Sequence, residues 1–152
     1  MPIPEFVVEI RKMIGHHEMW LPGVTAVVTR GDEILLVRRA DNGAWTPITG
    51  IPDPGEEPGQ AIAREAREET GVVITVDRLA STSVYPGVVH ANGDRASYLD
   101  LTFACTYVSG EAHVADDESS DVRWFPVDAL PEAPADVAVA VGRAVARVRG
   151  GS

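Results

Sequence analysis

The sequence predicts a single domain over residues 1–152 built as one α/β sandwich, and three observations carry that reading. Short β-rich runs flank one strongly charged helical segment, and a second helical spacing closes the chain. No repeat or low-complexity linker divides it. With 152 residues, 45% hydrophobic and 24% charged, the chain is long enough to bury a core of its own and has the composition of a soluble globular protein.

From Pro4 to Ile14 the apolar residues Phe6, Val7, Ile10, Met13 and Ile14 recur at helical spacing and stop at Gly15, predicting an amphipathic leading helix within residues 1–15. Gly23 to Thr29 and Glu33 to Arg39 are β-rich, and Arg30-Gly31-Asp32 between them suits a hairpin. Asn42 to Gly55 holds three prolines and three glycines, which predicts an irregular loop. Pro58 suits the first turn of a helix and Gly71 its left-handed end, giving a helix over 58–70 whose core face is Ile62 and Ala66, with Ala61 and Ala63 nearby. Val72 to Val76, Ser81 to Tyr85 and Tyr98 to Val108 read as strands. Pro86 to Arg95 contains Gly87, Asn92 and Gly93 and reads as an exposed loop. A short strand, Val122 to Phe125, follows the acidic stretch Asp116 to Asp121. Val137, Val141, Ala144, Val145 and Val148 then place a closing helix over 134–148.

A net charge of −10 argues against a chain that coats DNA or RNA or sits on an anionic membrane, since both need clustered Lys and Arg. The same charge repels a polyphosphate at long range, so such a substrate would need local neutralisation by metal and a few arginines. No apolar stretch reaches the 18 or more residues of a membrane span, and Met1 to Gly15 has no signal-peptide core, so the expected location is the cytoplasm. The lone Cys105 excludes an intrachain disulfide and reads as a buried strand residue.

The most informative stretch runs from Gly50 to Val72. It sets a glycine-rich acidic loop before a helix that carries Glu65, Glu68 and Glu69. Carboxylates at these spacings crowd one helix face and repel by about a few tenths of a kcal/mol per pair, so a shared divalent cation explains them better than a surface role. Arg64 and Glu68, four apart, can pair and hold the carboxylate's orientation, and Glu56 at the loop-to-helix junction can reach back toward the cluster.

Written out, Gly50, five residues, Glu56, seven residues and Arg64-Glu65-Ala66-Arg67-Glu68-Glu69-Thr70-Gly71-Val72 resemble the Nudix box, G-x5-E-x7-R-E-U-x-E-E-x-G-U, with Ala66 the one weak match. Trp124-Phe125-Pro126 followed by Asp128-Ala129-Leu130 is similar to the family's late strand and turn. The resemblance implies a Nudix-like fold, a mixed β-sheet between helices in an α/β/α sandwich. It further implies magnesium or manganese held by Glu65, Glu68, Glu69 and the Thr49 backbone carbonyl, with Glu56 behind them. Where many members read P-G-G, this chain has Ile48-Thr49-Gly50, a departure that bears on how the carbonyl is presented. The family places its general base either in the box or on a late loop, and Glu118 matches the late-loop position.

The implied activity is metal-dependent hydrolysis of a phosphoanhydride in a nucleoside diphosphate linked to another moiety, or in a nucleoside triphosphate. Alternatives are a non-catalytic nucleotide-binding module, whose box would be eroded, and an isopentenyl-diphosphate-isomerase-like enzyme, which would need a reactive cysteine and histidine ligands. Walker A and dinucleotide-binding glycine patterns are absent. For the substrate, Arg38 or Arg39 is expected to meet a phosphate, not both, because alternate strand residues face opposite sides. Trp20, Tyr85 and His90 are candidates to stack on a nucleobase, and the leading helix is a candidate homodimer element. His16-His17 has no partner at metal-binding spacing.

Overall fold

The computed structural model of the protein describes residues 3–131, 142–146 and 148. Helix α1 (Glu5–Ile14) ends at Gly15, which takes a φ of 60° open to a residue without Cβ. Strands β1 (Met19–Arg30) and β2 (Glu33–Arg39) form the expected hairpin, and the short strands β3 (Trp45–Thr46) and β4 (Ile48–Gly50) follow. Helix α2 (Pro58–Thr70) leads to β5 (Val73–Val89), β6 (Arg95–Ser109) and β7 (Ser119–Pro126).

Among the described residues the strands make one mixed seven-stranded sheet, ordered β3-β2-β1-β6-β5, with β4 on β1 and β7 on β2. Met19–Thr29 of β1 runs parallel to Ala96–Thr106 of β6, and the remaining ladders are antiparallel. Alternate residues of β1 point to opposite faces. Val24, Ala26 and Val28 pack with Ala61, Ile62 and Ala66 of α2. Met19 and Leu21 pack with Val7 of α1, and Val27 packs with Ile34, Leu36 and Val145. With a side-chain period of two, α2 therefore covers one face while α1 and the helical residues 142–146 cover the other, the expected α/β/α sandwich. Fully burying a side chain such as Ile62 contributes about 1.5–3 kcal/mol. Residues 142–146 and 148 are helical, as the closing spacing predicts; Val137 and Val141 lie outside the described residues.

Three expectations about elements need correction. The strands expected at 72–76 and 81–85 are one strand, β5, interrupted by register shifts at Val76/Arg78 and Leu79/Ser81. The unbroken β6 alongside carries the ladder through these bulges, and β5 shows no clean alternation because most of it is exposed. Its ladder continues past Pro86 and Gly87, at another shift, so the loop expected over 86–95 shrinks to a turn in which the His90 N–H donates to the Asp94 carbonyl at 2.8 Å. The stretch 42–55 is not wholly irregular. It holds β3 and β4, and β4 pairs Gly50, Thr49 and Ile48 with Val24, Thr25 and Ala26.

Candidate active site

Helix α2 starts on Pro58 and ends at Gly71, whose φ of 74° and ψ of 4° are left-handed and whose N–H donates to the Arg67 carbonyl. Its buried stripe is Ala61, Ile62, Glu65, Ala66, Glu69 and Thr70, so two carboxylates lie on the face that packs against the sheet. Glu65 and Glu69 are each 3% exposed. Glu65 lies against Gly50 of β4: a Cβ at that position would come within 2.8 Å of the Glu65 Cδ, so the close approach requires glycine. The first and middle parts of the sequence motif thus meet in space, with β4 brought there by its ladder to β1.

Arg64 ties the acidic groups together. Its Nε and one terminal nitrogen donate to the two oxygens of Glu56, both at 2.9 Å. Its other terminal nitrogen donates to Glu65 Oε1 at 3.0 Å and Glu68 Oε2 at 3.2 Å. Glu56 also accepts the Asp53 N–H, and the Arg64 guanidinium holds its carboxyl below the usual range. Glu68 sits at the rim, its side chain 48% exposed, so the three box glutamates share a helix without sharing an environment.

Burial acts the other way on the inner pair. It raises the pKa of Glu65, and it pushes Glu69 up to about 8. Glu65 Oε2 is buried and has no hydrogen-bond partner. A buried carboxylate oxygen with nothing to accept from costs free energy unless a cation meets it. Among the described residues no group of three or more Asp, Glu, His or Cys side chains is placed to hold a metal ion, so Glu65, Glu68 and Glu69 are not gathered into one ligand set. The hard carboxylate oxygens of the inner pair suit magnesium, which keeps several waters, rather than a structural zinc site.

Thr49, Glu69, Arg39 and Glu118 line one small cavity beside α2. Segment 113–118 is strapped there by backbone bonds: His113 N–H to the Thr70 carbonyl, Ala115 N–H to the Glu69 carbonyl, and Ala40 N–H to the Glu118 carbonyl. Arg39 grips Asp41 through two bonds of 3.0 and 2.7 Å, which raise its pKa, and so keeps its charge facing Glu69 and Glu118. Arg38 points away and donates to the Gly43 carbonyl.

The structure does not bring Trp20 and Tyr85 to this cavity. Trp20, 62% exposed, faces away from its neighbours Met19 and Leu21, and Tyr85 is exposed on β5, opposite Tyr98. The Cys105 thiol is buried in the core and pushed up to about 12 by that burial, which removes the nucleophile an isomerase would need. His16 instead meets Asp94 at 2.8 Å. Unforeseen in the sequence is a larger cleft of about 300 Å3 next to the first cavity, lined by Arg11, Leu21, Ile51, His90, Asp94 and Tyr98 among others. Its walls come from a helix, three strands and a turn, so no local spacing announces it.

Comparison with known proteins gives a consistent picture. The family model described as NUDIX domain matches residues 19–147. The NAD-capped RNA hydrolase NudC of Stutzerimonas stutzeri (strain A1501) is 36% identical over 129 residues, which are 84% of this chain and 44% of that protein. The chain therefore spans less than half the length of this curated relative. The MutT NUDIX hydrolase structure from Burkholderia pseudomallei is 28% identical with a TM-score of 0.63, over 86% of this chain and 98% of that one. A UDP-X diphosphatase structure shares the fold with a TM-score of 0.71 at 24% identity, over 97% of this chain and 71% of that one.

Proposed function

This chain belongs to the NUDIX domain family, and we propose on that footing that it is a metal-dependent pyrophosphohydrolase. Its substrate class is a nucleoside diphosphate linked to another moiety, or a nucleoside triphosphate. One observation carries the reading: two carboxylates lie on the buried stripe of α2, and one of their oxygens has no partner.

In this proposal Glu65, Glu68, Glu69 and the Thr49 carbonyl hold magnesium or manganese. When bound, the ion draws charge from the diphosphate oxygens and acidifies a water. Arg64 keeps Glu65 and Glu68 oriented and is itself clamped by Glu56. Arg39 meets a phosphate oxygen, while Arg38, turned to Gly43, takes no part. Glu118 accepts a proton from the attacking water; the water oxygen bonds to phosphorus, the bridging P–O bond breaks, and the departing phosphate keeps the electron pair.

Among the described residues no helix is long and apolar enough to cross a membrane. The cytoplasm, where nucleotides are abundant, is the proposed location. A homodimer through α1 belongs to the same proposal, because Val7 is used in the core while Val8, Met13 and Ile14 remain exposed.

Since the relative from Stutzerimonas stutzeri is an NAD-capped RNA hydrolase, NAD and NAD-capped RNA head the substrate panel, followed by ADP-ribose, nucleotide sugars, dinucleoside polyphosphates and nucleoside triphosphates. With magnesium, at least one should release a nucleoside monophosphate or pyrophosphate, and EDTA should abolish it. No turnover of any class with either metal would refute the assignment.

A further inference from the structure

We propose that Asp100, a buried carboxyl that lines neither the small cavity nor the larger cleft, is a positioning residue: through Thr25 it fixes where β4 lies, and with β4 the metal site. The inference rests on the hydrolase reading for what Thr49 and the carboxylate packed on Gly50 hold. Asp100 stands in the middle of β6, on the sheet face turned away from α2. Its partner across the parallel ladder is Gly23, and two residues further on Thr102 stands opposite Thr25. The bare Gly23 backbone makes room for the carboxyl, since a Cβ there would come within 3.3 Å of Asp100 Oδ1. From this notch Asp100 accepts the Thr25 hydroxyl on both oxygens, at 2.9 and 3.1 Å, and the Thr102 hydroxyl at 3.0 Å.

The surroundings say what these bonds are for. Along the same face Leu21 and Tyr98 belong with the apolar cluster under α1, and Val27 belongs with the cluster that holds Val145. An apolar side chain between the two would fill the space without the cost of burying a polar group. Burial raises the pKa of the Asp100 carboxyl, and only the two threonine hydroxyls act against that rise. Its contribution is therefore the bonds it accepts, and one of them immobilises Thr25.

Thr25 is where this hold reaches the site. It is the middle one of the three β1 residues that carry β4, pairing with Thr49 while Val24 pairs with Gly50 and Ala26 with Ile48. Residues directly opposed in an antiparallel ladder have their side chains on one face, with Cβ atoms about 4.5–5.5 Å apart. Because Thr25 is β-branched, a fixed hydroxyl also fixes its χ1 rotamer and so the surface that Thr49 packs against. With three ladder pairs, β4 follows any shift of β1. Such a shift carries Thr49 on the cavity wall and Gly50 under Glu65 together, and site geometry tolerates only about 0.5 Å.

The test compares the full chain with Asp100→Asn, which keeps the shape and a carbonyl acceptor, Asp100→Leu, which keeps the bulk without an acceptor, and Thr25→Val, which keeps the branching without the hydroxyl. Two quantities are read: manganese affinity by electron paramagnetic resonance, and amide hydrogen exchange of Ile48, Thr49 and Gly50 in EDTA, with the Val28 amide as internal reference. Asp100→Leu and Thr25→Val should speed exchange in β4 by about tenfold relative to Val28 and weaken manganese binding by about tenfold. Asp100→Asn should stay within about threefold of the parent in both. A residue that only stabilises the fold would raise exchange in β4 and at Val28 alike and leave the manganese affinity of the folded protein unchanged, and that result would overturn the proposal. So would selective loosening of β4 with parental manganese affinity. If Asp100→Leu does not fold, Thr25→Val decides by the same criteria. A parent chain that binds no manganese, in which Asp100→Leu still loosens β4 selectively, would remove the hydrolase reading while sustaining the hold of Asp100 on β4. Manganese binding by the parent, with neither quantity altered in Asp100→Leu, would do the reverse.

Discussion

A carboxyl group on the buried stripe of a helix is easier to keep protonated than ionised, and α2 carries two such groups. Burial raises the pKa of Glu65 and takes Glu69 from 4.5 to about 8. In the metal-free protein these groups hold their protons in the folded state at pH values where the unfolded chain has lost them. Their contribution is therefore complete below about pH 4.5 and is lost as pH rises through the raised value of each group, which for Glu69 lies at about 8. Urea unfolding in EDTA should show this fall between pH 5 and 8, and magnesium should reverse it most at pH 8; a flat profile would contradict the burial argument. Arg64 is the counterweight. Arg64→Ala leaves Glu56, Glu65 and Glu68 without their shared cation, and should cost about 1–3 kcal/mol, less than a fully buried pair because its side chain is 31% exposed. Thermal stability and magnesium affinity should fall together. A change in substrate affinity alone would reassign Arg64 to phosphate binding. Glu118→Gln should lower kcat by about 10² to 10⁴ with little effect on KM if Glu118 takes the water proton; recovery by added magnesium would make it a metal ligand, and parental behaviour would move the base to the box.

At the scale of elements, β4 matters more than its three residues suggest. It brings Thr49 to the wall of the small cavity and supplies the bare Gly50 surface on which Glu65 rests. Gly50→Ala would drive a methyl into the Glu65 side chain, so it should destabilise by about 1–3 kcal/mol and reduce turnover by displacing that carboxylate. Unchanged activity would show that Glu65 tolerates the shift. This strand was illegible in the sequence because three prolines and two glycines surround it, a third glycine ends it, and only pairing with β1 makes it extended. Helix α2 was legible because its signals are local: Pro58 at one end, Gly71 at the other and Ile62 and Ala66 between. The start of β1 escaped for a reason related to β4. Pro22 breaks the pattern, yet at that point β6 flanks β1 and no ladder partner among the described residues lies on the other side, so the missing donor is tolerated.

For the whole molecule, the sandwich and its acidic site follow from patterns a single segment can display, while the cleft does not. Arg11, Leu21, Ile51, His90 and Tyr98 converge only once α1, β1, β6 and the β5–β6 turn are assembled. The same limit explains why Trp20 and Tyr85, aromatic and exposed, read as base-stacking candidates although neither lines the cavity or the cleft, whereas Tyr98, which shares a face with Tyr85, lines the cleft. A net charge of −10 repels an anionic substrate at long range, so in this account a metal would have to add local positive charge to that of Arg39. The most direct measurement is the magnesium dependence of diphosphate hydrolysis in the parent protein and in Glu69→Gln. If α2 holds the metal, Glu69→Gln should fold normally, need at least about tenfold more magnesium for half-maximal rate and lose about 10² or more in kcat. Parental rate and parental magnesium dependence in that variant would contradict the account.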